Sequence, residues 1–507
     1  MSTSTAPRPG PTRPSASPGH RPEGPVPHVV VVGGGIAGLS AAARLTGVTG
    51  DAGPRARVTL LESADRLGGK LRRTETGGVV VDLGAEAFHL QGDAALELVG
   101  AAGLVHELEP PLTTQAALWT GGALRHLPEG HLMGIPGDLG VLAASGVLSP
   151  AGLARACADR ELPRTEIGED ISLGGYVAAR MGREVVDRLV EPVLGGVYAG
   201  RADRISLRAA LPGLFAAARE EDTLLAAVRR LREREGRSSR TPASRPAPPP
   251  FRGLRGGLGR LSLPVARACR AAGADIRTGT AVRALRRAEQ GWSLTVRDAL
   301  GDRRCDADAV VLAVPAPAAA RLLAGEVPEA AAGLRTVEYA DLAVVTLVFE
   351  RQEVRGALRG SGFLVPPADG HLVKAATFFD NKWRWQARYA PDHVVVRLSV
   401  GRHGEDTAVR LSDEELVARS AGELAEATGL TARPLHSLVT RWPGGIPQYT
   451  VGHDGRVARV REQLAGPGTL AVCGAAYDGV GVPRCIESGV RAAEAVVAGA
   501  ARRARTV

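Results

Sequence analysis

His28-Val29-Val30-Val31-Val32-Gly33-Gly34-Gly35-Ile36-Ala37-Gly38-Leu39 is the stretch on which the reading of this chain turns. It opens on a continuous β-branched apolar run, as expected of a parallel strand buried on both faces. Glycines follow at once in the pattern G-x-G-x-x-G, and the Ala- and Leu-rich residues after them favour helix. Gly33 permits a tight turn, Gly35 lets a pyrophosphate approach the backbone, and Gly38 lets helix and strand pack closely. The helix N-terminus offers unpaired N–H groups and a positive dipole end to phosphates. With Gly34, Ile36 and Ala37, these positions form a candidate cofactor-binding turn. The next strand is read at 56–63, ARVTLLES. It carries Glu62 near its end, whose carboxylate can accept hydrogen bonds from both hydroxyls of a ribose, with Ser63 beside it. Strand, glycine turn, helix, strand and acid together predict a dinucleotide site.

Two more glycine turns follow. Arg66-Leu67-Gly68-Gly69-Lys70-Leu71 places a second Gly pair before a strand, where backbone can lie against the rest of a long cofactor, and this favours FAD over NAD. Asp82-Leu83-Gly84-Ala85-Glu86-Ala87-Phe88 is another turn at a strand end. Gly69 and Lys70 are therefore candidate cofactor contacts; Gly84, Ala85, Glu86 and Ala87 join them only through the resemblance that follows. Near the C-terminus, Cys473-Gly474-Ala475-Ala476-Tyr477-Asp478-Gly479 reads as strand and turn, and a long helix follows.

GGGIAGLSAA, E-x(3)-R-L-G-G-K and D-x-G-A-E-A resemble the flavin-dependent amine oxidase and protoporphyrinogen oxidase superfamily. The resemblance implies an extended FAD, its adenosine at Glu62 and its isoalloxazine near Gly84–Glu86. Residues 473–489 are similar to that superfamily's C-terminal flavin motif, which implies contacts at Gly474, Val482 and Ile486. Val282, in TAVRAL, matches the place where a backbone edge meets the adenine, and Trp442 joins the implied cofactor contacts. Four segments are similar to the bacterial porphyrinogen oxidases. They are Glu191-Pro192-Val193-Leu194-Gly195-Gly196-Val197-Tyr198-Ala199-Gly200 followed by ISLRAALP, FRGLRGGLGRL at 251–261, ATFFDNKW at 376–383, and RWPGGIPQY at 441–449 with His453 beyond.

The implied fold is α/β and α+β: a Rossmann-like FAD-binding domain, a mixed-sheet substrate domain and a helical domain. The expected FAD-binding domain spans 28–110, 253–325 and 456–507. The helical domain spans 111–252 with a flexible insertion at 236–250, and the substrate domain 326–455. The implied activity is FAD- and oxygen-dependent oxidation of coproporphyrinogen III to coproporphyrin III in haem biosynthesis. It removes six electrons in three flavin turnovers and forms hydrogen peroxide. Protoporphyrinogen IX oxidation, another amine oxidase or desaturase, and a binding protein that lost its flavin stand as alternatives. Expected partners are the porphyrinogen and molecular oxygen; peripheral membrane contact and hand-over to a ferrochelatase stay open. Aromatisation supplies a large driving force, so no catalytic acid or base is assigned. The chain departs from related enzymes in one respect: Phe88-His89-Leu90-Gln91-Gly92-Asp93 holds no Lys or Arg where a propionate-binding cation is often found. His89, Arg125, His126, Lys382 and Arg441 are the remaining candidates for a substrate carboxylate.

Composition sets the bounds. The 507 residues are 44% apolar and 23% charged, enough for two or three domains. Residues 1–27 form a Pro/Ser/Arg tail that reads as disordered. No run of 18 apolar residues occurs, so no membrane-spanning helix is expected. The net charge of +9 comes from Arg interspersed with acids, with no basic run interleaved with aromatics, which argues against nucleic acid. Five cysteines have no metal-ligand or redox spacing and fit a reduced, cytoplasmic compartment. No Ser/His/Asp array, paired-carboxylate signature or metal site is read.

Overall fold

The computed structural model describes residues 26–50, 53–90, 92–238, 251–354, 356–405, 407–466 and 468–505. The expected disordered tail lies outside the described residues except for 26–27, and the expected insertion except for 236–238.

The opening strand, His28–Val32, is buried along its whole length. Val29 and Val31 face one core with the first helix, Ile36–Leu45; Val30 and Val32 face a second core on the other side of the sheet. Burial on both faces explains the uninterrupted valines, each worth roughly 1.5–3 kcal/mol when buried. The strand lies in a five-stranded sheet in the order Asp275–Arg277, Arg57–Leu61, His28–Val32, Ala309–Leu312, Leu470–Val472. All four neighbouring pairs are parallel. The chain leaves the opening strand to one side and later returns on the other. This creates a switch point at its carboxyl end, where open α/β sheets bind ligands. The C-terminal helix, Val482–Ala504, packs against the first helix.

A seven-stranded sheet forms the second layer, in the order His436–Pro447, Tyr339–Glu350, His393–Val400, Val373–Phe378, Gly362–Leu364, Ala116–Thr120, Ala123–His126. The period-two text of 337–400 thus forms the antiparallel ladder expected of it. Helix Asp413–Thr428 covers one face, opened by Ser412 and Glu415 in a reciprocal capping box. Residues 111–252 are not helical throughout. The hairpin 116–126 leaves the helices and joins the sheet by parallel pairing of Ala116–Leu118 with Gly362–Leu364. Its first strand buries Leu118 and Trp119 on opposite faces, the alternation expected of successive strand residues.

The helices between 139 and 238 share a third core. An ion pair between Arg180 and Asp159, 2.6 Å apart and only 1% and 0% exposed, pins it. Asp159 also accepts from the N–H groups of Leu224 and Leu225, and Arg180 donates to Pro163 O, Asp159 O and Asp222 O. Both charges are fully hydrogen-bonded, the condition under which a buried pair is tolerated. Among the described residues, no helix is long and apolar enough to cross a membrane.

Candidate active site

Gly33 turns the chain at φ +107, its N–H donating to Leu61 O at 2.8 Å. A Cβ on Gly38 would collide with the carbonyl oxygen of Gly33, so only glycine lets the helix sit this close to the turn. At Gly35 a Cβ would meet nothing within 4 Å. The turn therefore has its close packing at Gly33 and Gly38 and an open side at Gly35. Gly35 caps the first helix without a side-chain hydrogen bond, and Gly481 does the same for the C-terminal helix. The first-turn N–H groups of both helices are left without a side-chain acceptor at the cap.

The distant turns meet at this open side. Gly68 N–H donates to Gly34 O at 2.9 Å, and Gly68 bridges Gly35 as in a parallel ladder. A Cβ on Gly69 would lie 3.3 Å from the Gly35 Cα, and one on Gly474 would lie 3.7 Å from the Ala37 Cβ. Gly474 N–H donates to Ser488 Oγ at 2.9 Å, and Ser488 in turn donates to Asp478. Three turns separated by over 400 residues in sequence thus line one groove.

Glu62 stands at the groove's sheet side. Its carboxylate accepts from Gly34 N–H at 2.6 Å and Ala64 N–H at 2.8 Å, with Ser63 Oγ at 3.3 Å. Thr280 N–H donates to Glu62 O at 2.8 Å, which brings Val282, two residues on and half-buried, to the same end. Lys70 is solvent-accessible yet set deep in the molecule; burial lowers its ammonium pKa, and it interacts electrostatically with Cys485. Val482 opens the C-terminal helix. Ile486, one turn on, is 1% exposed and its side chain packs in the core with Ile36 and Ala37.

At the other end a Cβ on Gly84 would collide with Lys70 O and approach Trp442 at 3.6 Å. Trp442 Nε1 donates to Leu83 O at 3.0 Å, bracing the seven-stranded sheet against this turn. Ala85 and Ala87 are half-buried beside it. Glu86 pairs with Lys382 and, at 3.3 Å, with Arg397, whose Nη2 donates to Gly84 O at 3.0 Å. Burial alone would raise the Glu86 pKa, but the two cations outweigh it and hold the carboxyl below its usual range. Asp82 accepts from Leu258 N–H at 2.7 Å and Gly259 N–H at 2.9 Å, locking FRGLRGGLGRL to this strand end. Burial pushes its carboxyl up to about 6 despite those bonds.

The sequence left Asp82 and Arg397 out of the site. Arg397 did carry a signal, a charge in the middle of the apolar strand HVVVRLSV. The carboxylate candidates fare differently. Lys382 is at the site, but Glu86 neutralises it. Arg441 points to the sheet's helix-covered face, donating to Leu411 O at 2.7 Å and Asp413 at 2.6 Å. Arg125 and His126 lie on the edge strand opposite the one that holds Trp442. His89 stacks edge-on against Phe251, ring centroids 5.2 Å apart.

The porphyrinogen-like segments also converge. Gln448 Nε2 donates to Tyr198 O at 2.9 Å, the Tyr198 and Tyr449 rings lie 5.7 Å apart, and Tyr449 OH donates to Ala475 O at 2.5 Å. His453 stacks on Tyr449 at 4.0 Å, and burial lowers its pKa to about 4. A ledge runs from the Gly474 turn through Tyr449 to the helix Glu191–Tyr198.

A model of the flavin containing amine oxidoreductase family matches residues 36–497. Coproporphyrinogen III oxidase of Mycobacterium tuberculosis strain H37Rv is 38% identical over 477 residues, 92% of this chain and 96% of its own. Protoporphyrinogen oxidase of Bos taurus is 30% identical over 491 residues, 92% of this chain and 98% of its own. A crystal structure from Exiguobacterium sp. 255-15, assigned as a protoporphyrinogen oxidase, superposes with a TM-score of 0.80 at 31% identity, covering 93% of this chain and 99% of that one.

Proposed function

The chain belongs to the flavin containing amine oxidoreductase family and is a flavin-dependent oxidoreductase, and from that premise we propose that it oxidises coproporphyrinogen III to coproporphyrin III. The observation that carries the reading is the convergence of the three glycine turns on the open side of Gly35, with the Glu191–Tyr198 and Arg441–Tyr449 segments close by. FAD is the flavin we assign. The space at Gly35 suits a pyrophosphate, Glu62 suits a ribose, and Val282 suits the adenine edge. Gly84–Ala87, Lys70 and Trp442 suit the flavin ring. The domain division we adopt follows from it: 28–110, 253–325 and 456–507 hold the flavin, and the helices and the larger sheet hold the substrate.

When bound, the flavin supplies a two-electron acceptor, used three times for a six-electron oxidation. The chain's own residues bind and orient. The uncapped helix ends hold negative charge by N–H donation and dipole. Trp442, held by Leu83 O, fixes the wall at the end of the groove assigned to the flavin ring. Buried Tyr198 and Tyr449 exclude water from the far side. No side-chain base is needed, because pyrrole protons leave as conjugation grows. Oxygen as final acceptor, with hydrogen peroxide as product, completes the proposal.

The test is direct. Coproporphyrinogen III added in air to the purified yellow protein should give a rise in porphyrin fluorescence, faster initially than protoporphyrinogen IX does. Amines should give no peroxide. A faster protoporphyrinogen rate would favour the activity named for the bovine relative, and amine turnover without porphyrin would remove the reading.

A further inference from the structure

A substrate with four carboxylates needs cations; of those described so far, Glu86 holds Lys382 and Arg397, Asp413 holds Arg441, and Lys70 stands among the turns assigned to the flavin. Lys374 is different. It is 6% exposed, on the strand Val373–Phe378 at a bulge between Val373 and Ala375. Among the described residues it has no ion pair within 4 Å. A buried ammonium without a carboxylate partner costs folding energy and calls for a reason.

Its surroundings point to one. Arg402, 5% exposed, is beside it and donates to Val365 O at 2.9 Å; Val365 N–H donates to Lys374 O, also at 2.9 Å. Glu405 is the carboxylate that acts on both cations, 3.6 Å from Arg402, and Arg201 already occupies it. Glu191 also acts on Arg402, but its carboxyl is pushed up by burial and accepts from Ala202 N–H at 2.8 Å. Three cations thus share two acids, Glu405 taken by Arg201 and Glu191 bonded through one oxygen only. The cluster sits where helix Glu191–Tyr198 crosses strands Gly362–Leu364 and Val373–Phe378. There the packing opens: a Cβ on Gly195 would meet nothing within 4 Å, and one on Gly196 only Leu364 at 3.6 Å.

We propose that Lys374, backed by Arg402 beneath the glycines of helix Glu191–Tyr198, seats a carboxylate side chain of the tetrapyrrole substrate. This rests on the porphyrinogen reading and makes Lys374 a specificity residue for tetracarboxylate over dicarboxylate macrocycles.

Direct binding tests it without depending on turnover. The full-length protein, as wild type, Lys374→Met and Lys374→Arg, is titrated with coproporphyrin III and with protoporphyrin IX by fluorescence, and each variant's melting temperature is taken. Lys374→Met should weaken coproporphyrin III binding tenfold or more, as expected for one side of a buried charge pair. Protoporphyrin IX should change much less, and Lys374→Arg should restore most of the loss. The melting temperature of Lys374→Met should hold or rise, because an unpaired buried charge is removed. Unchanged coproporphyrin affinity in a folded Lys374→Met protein overturns the proposal, as does equal loss for both porphyrins. If Lys374→Met does not fold, the wild type decides. Among the described residues, the charged groups that act on Lys374 are Arg402 and Glu405, with Arg201 and Glu191 acting on Arg402 behind them, and burial lowers Lys374 to about 7. Coproporphyrin III affinity should therefore fall from pH 6 to 9, and a flat profile overturns the proposal. Wild-type protein that binds through Lys374 but oxidises no porphyrinogen would sink the proposed function and leave this site standing.

Discussion

Gly35 and Gly38 stand three residues apart in one turn and should answer oppositely to a side chain. Gly35 has φ −71 and ψ 177, which valine adopts freely, and no atom lies within 4 Å of its added Cβ. Gly35→Val should fold and melt like wild-type protein stripped of its flavin, and it should purify pale, since the side chain takes the pyrophosphate's place. Gly38→Val should fail at the fold itself, because its Cβ meets a backbone oxygen that cannot move. Flavin content by absorbance and melting temperature separate the two; full flavin occupancy in Gly35→Val would remove the open side of Gly35 from the site. Asp82 supplies a pH test at the same scale. Its folded carboxyl titrates at about 6 against 3.8 for an ordinary aspartate, so the folded state binds the proton more tightly. Stability from this group is full below pH 4 and is lost as pH rises to 6, on the order of 2–3 kcal/mol. Asp82→Asn should flatten that part of the denaturation profile, and a slope identical to wild type would show that Asp82 does not titrate there.

Elements differ in what anchors them. Asp159 caps helix Leu224–Ser238 and neutralises Arg180, so Asp159→Ala leaves both a buried cation and two N–H groups unpaired. A loss of about 3–5 kcal/mol is expected by denaturant titration, concentrated in the helical unit. Ser412→Ala removes one exposed cap and should cost only about 1 kcal/mol. That cap was readable because Ser412 and Glu415 are three residues apart and the interaction is local. The hairpin 116–126 was not read, although Gly121-Gly122 between two strand-like runs is a turn signal. The helical text on either side outweighed it, and its pairing partner lies some 250 residues on. Arg397 shows the same limit. Period two places it on a face of its strand, but its partner Glu86 is 311 residues away and no spacing rule reaches it. Local backbone requirements left marks in the text; long-range side-chain partners did not.

The molecule as a whole is held across its layers by the groove that would take the cofactor. The opening sheet contributes Gly33–Gly38 and Glu62, the C-terminal helix contributes its uncapped end, and the larger sheet reaches the same place through Trp442. A ligand lying along that groove touches segments that no single core unites, so removing it should loosen all of them together. Protein stripped of flavin should melt several degrees below the holoprotein, and excess FAD should restore the loss by mass action, about 2.7 kcal/mol at one hundred times the dissociation constant. FMN is the informative control. It carries the ring and one phosphate but lacks the adenosine half that Glu62 and Val282 are placed to hold. If the groove is read correctly from end to end, FMN at equal concentration should raise the melting temperature by a small fraction of what FAD does. Glu62→Ala should shrink the FAD shift toward that of FMN, while Trp442→Phe should lower both shifts alike. Equal rescue by FMN and FAD in the wild type would mean that the Glu62 end holds nothing, and the extended placement of the cofactor would have to be given up.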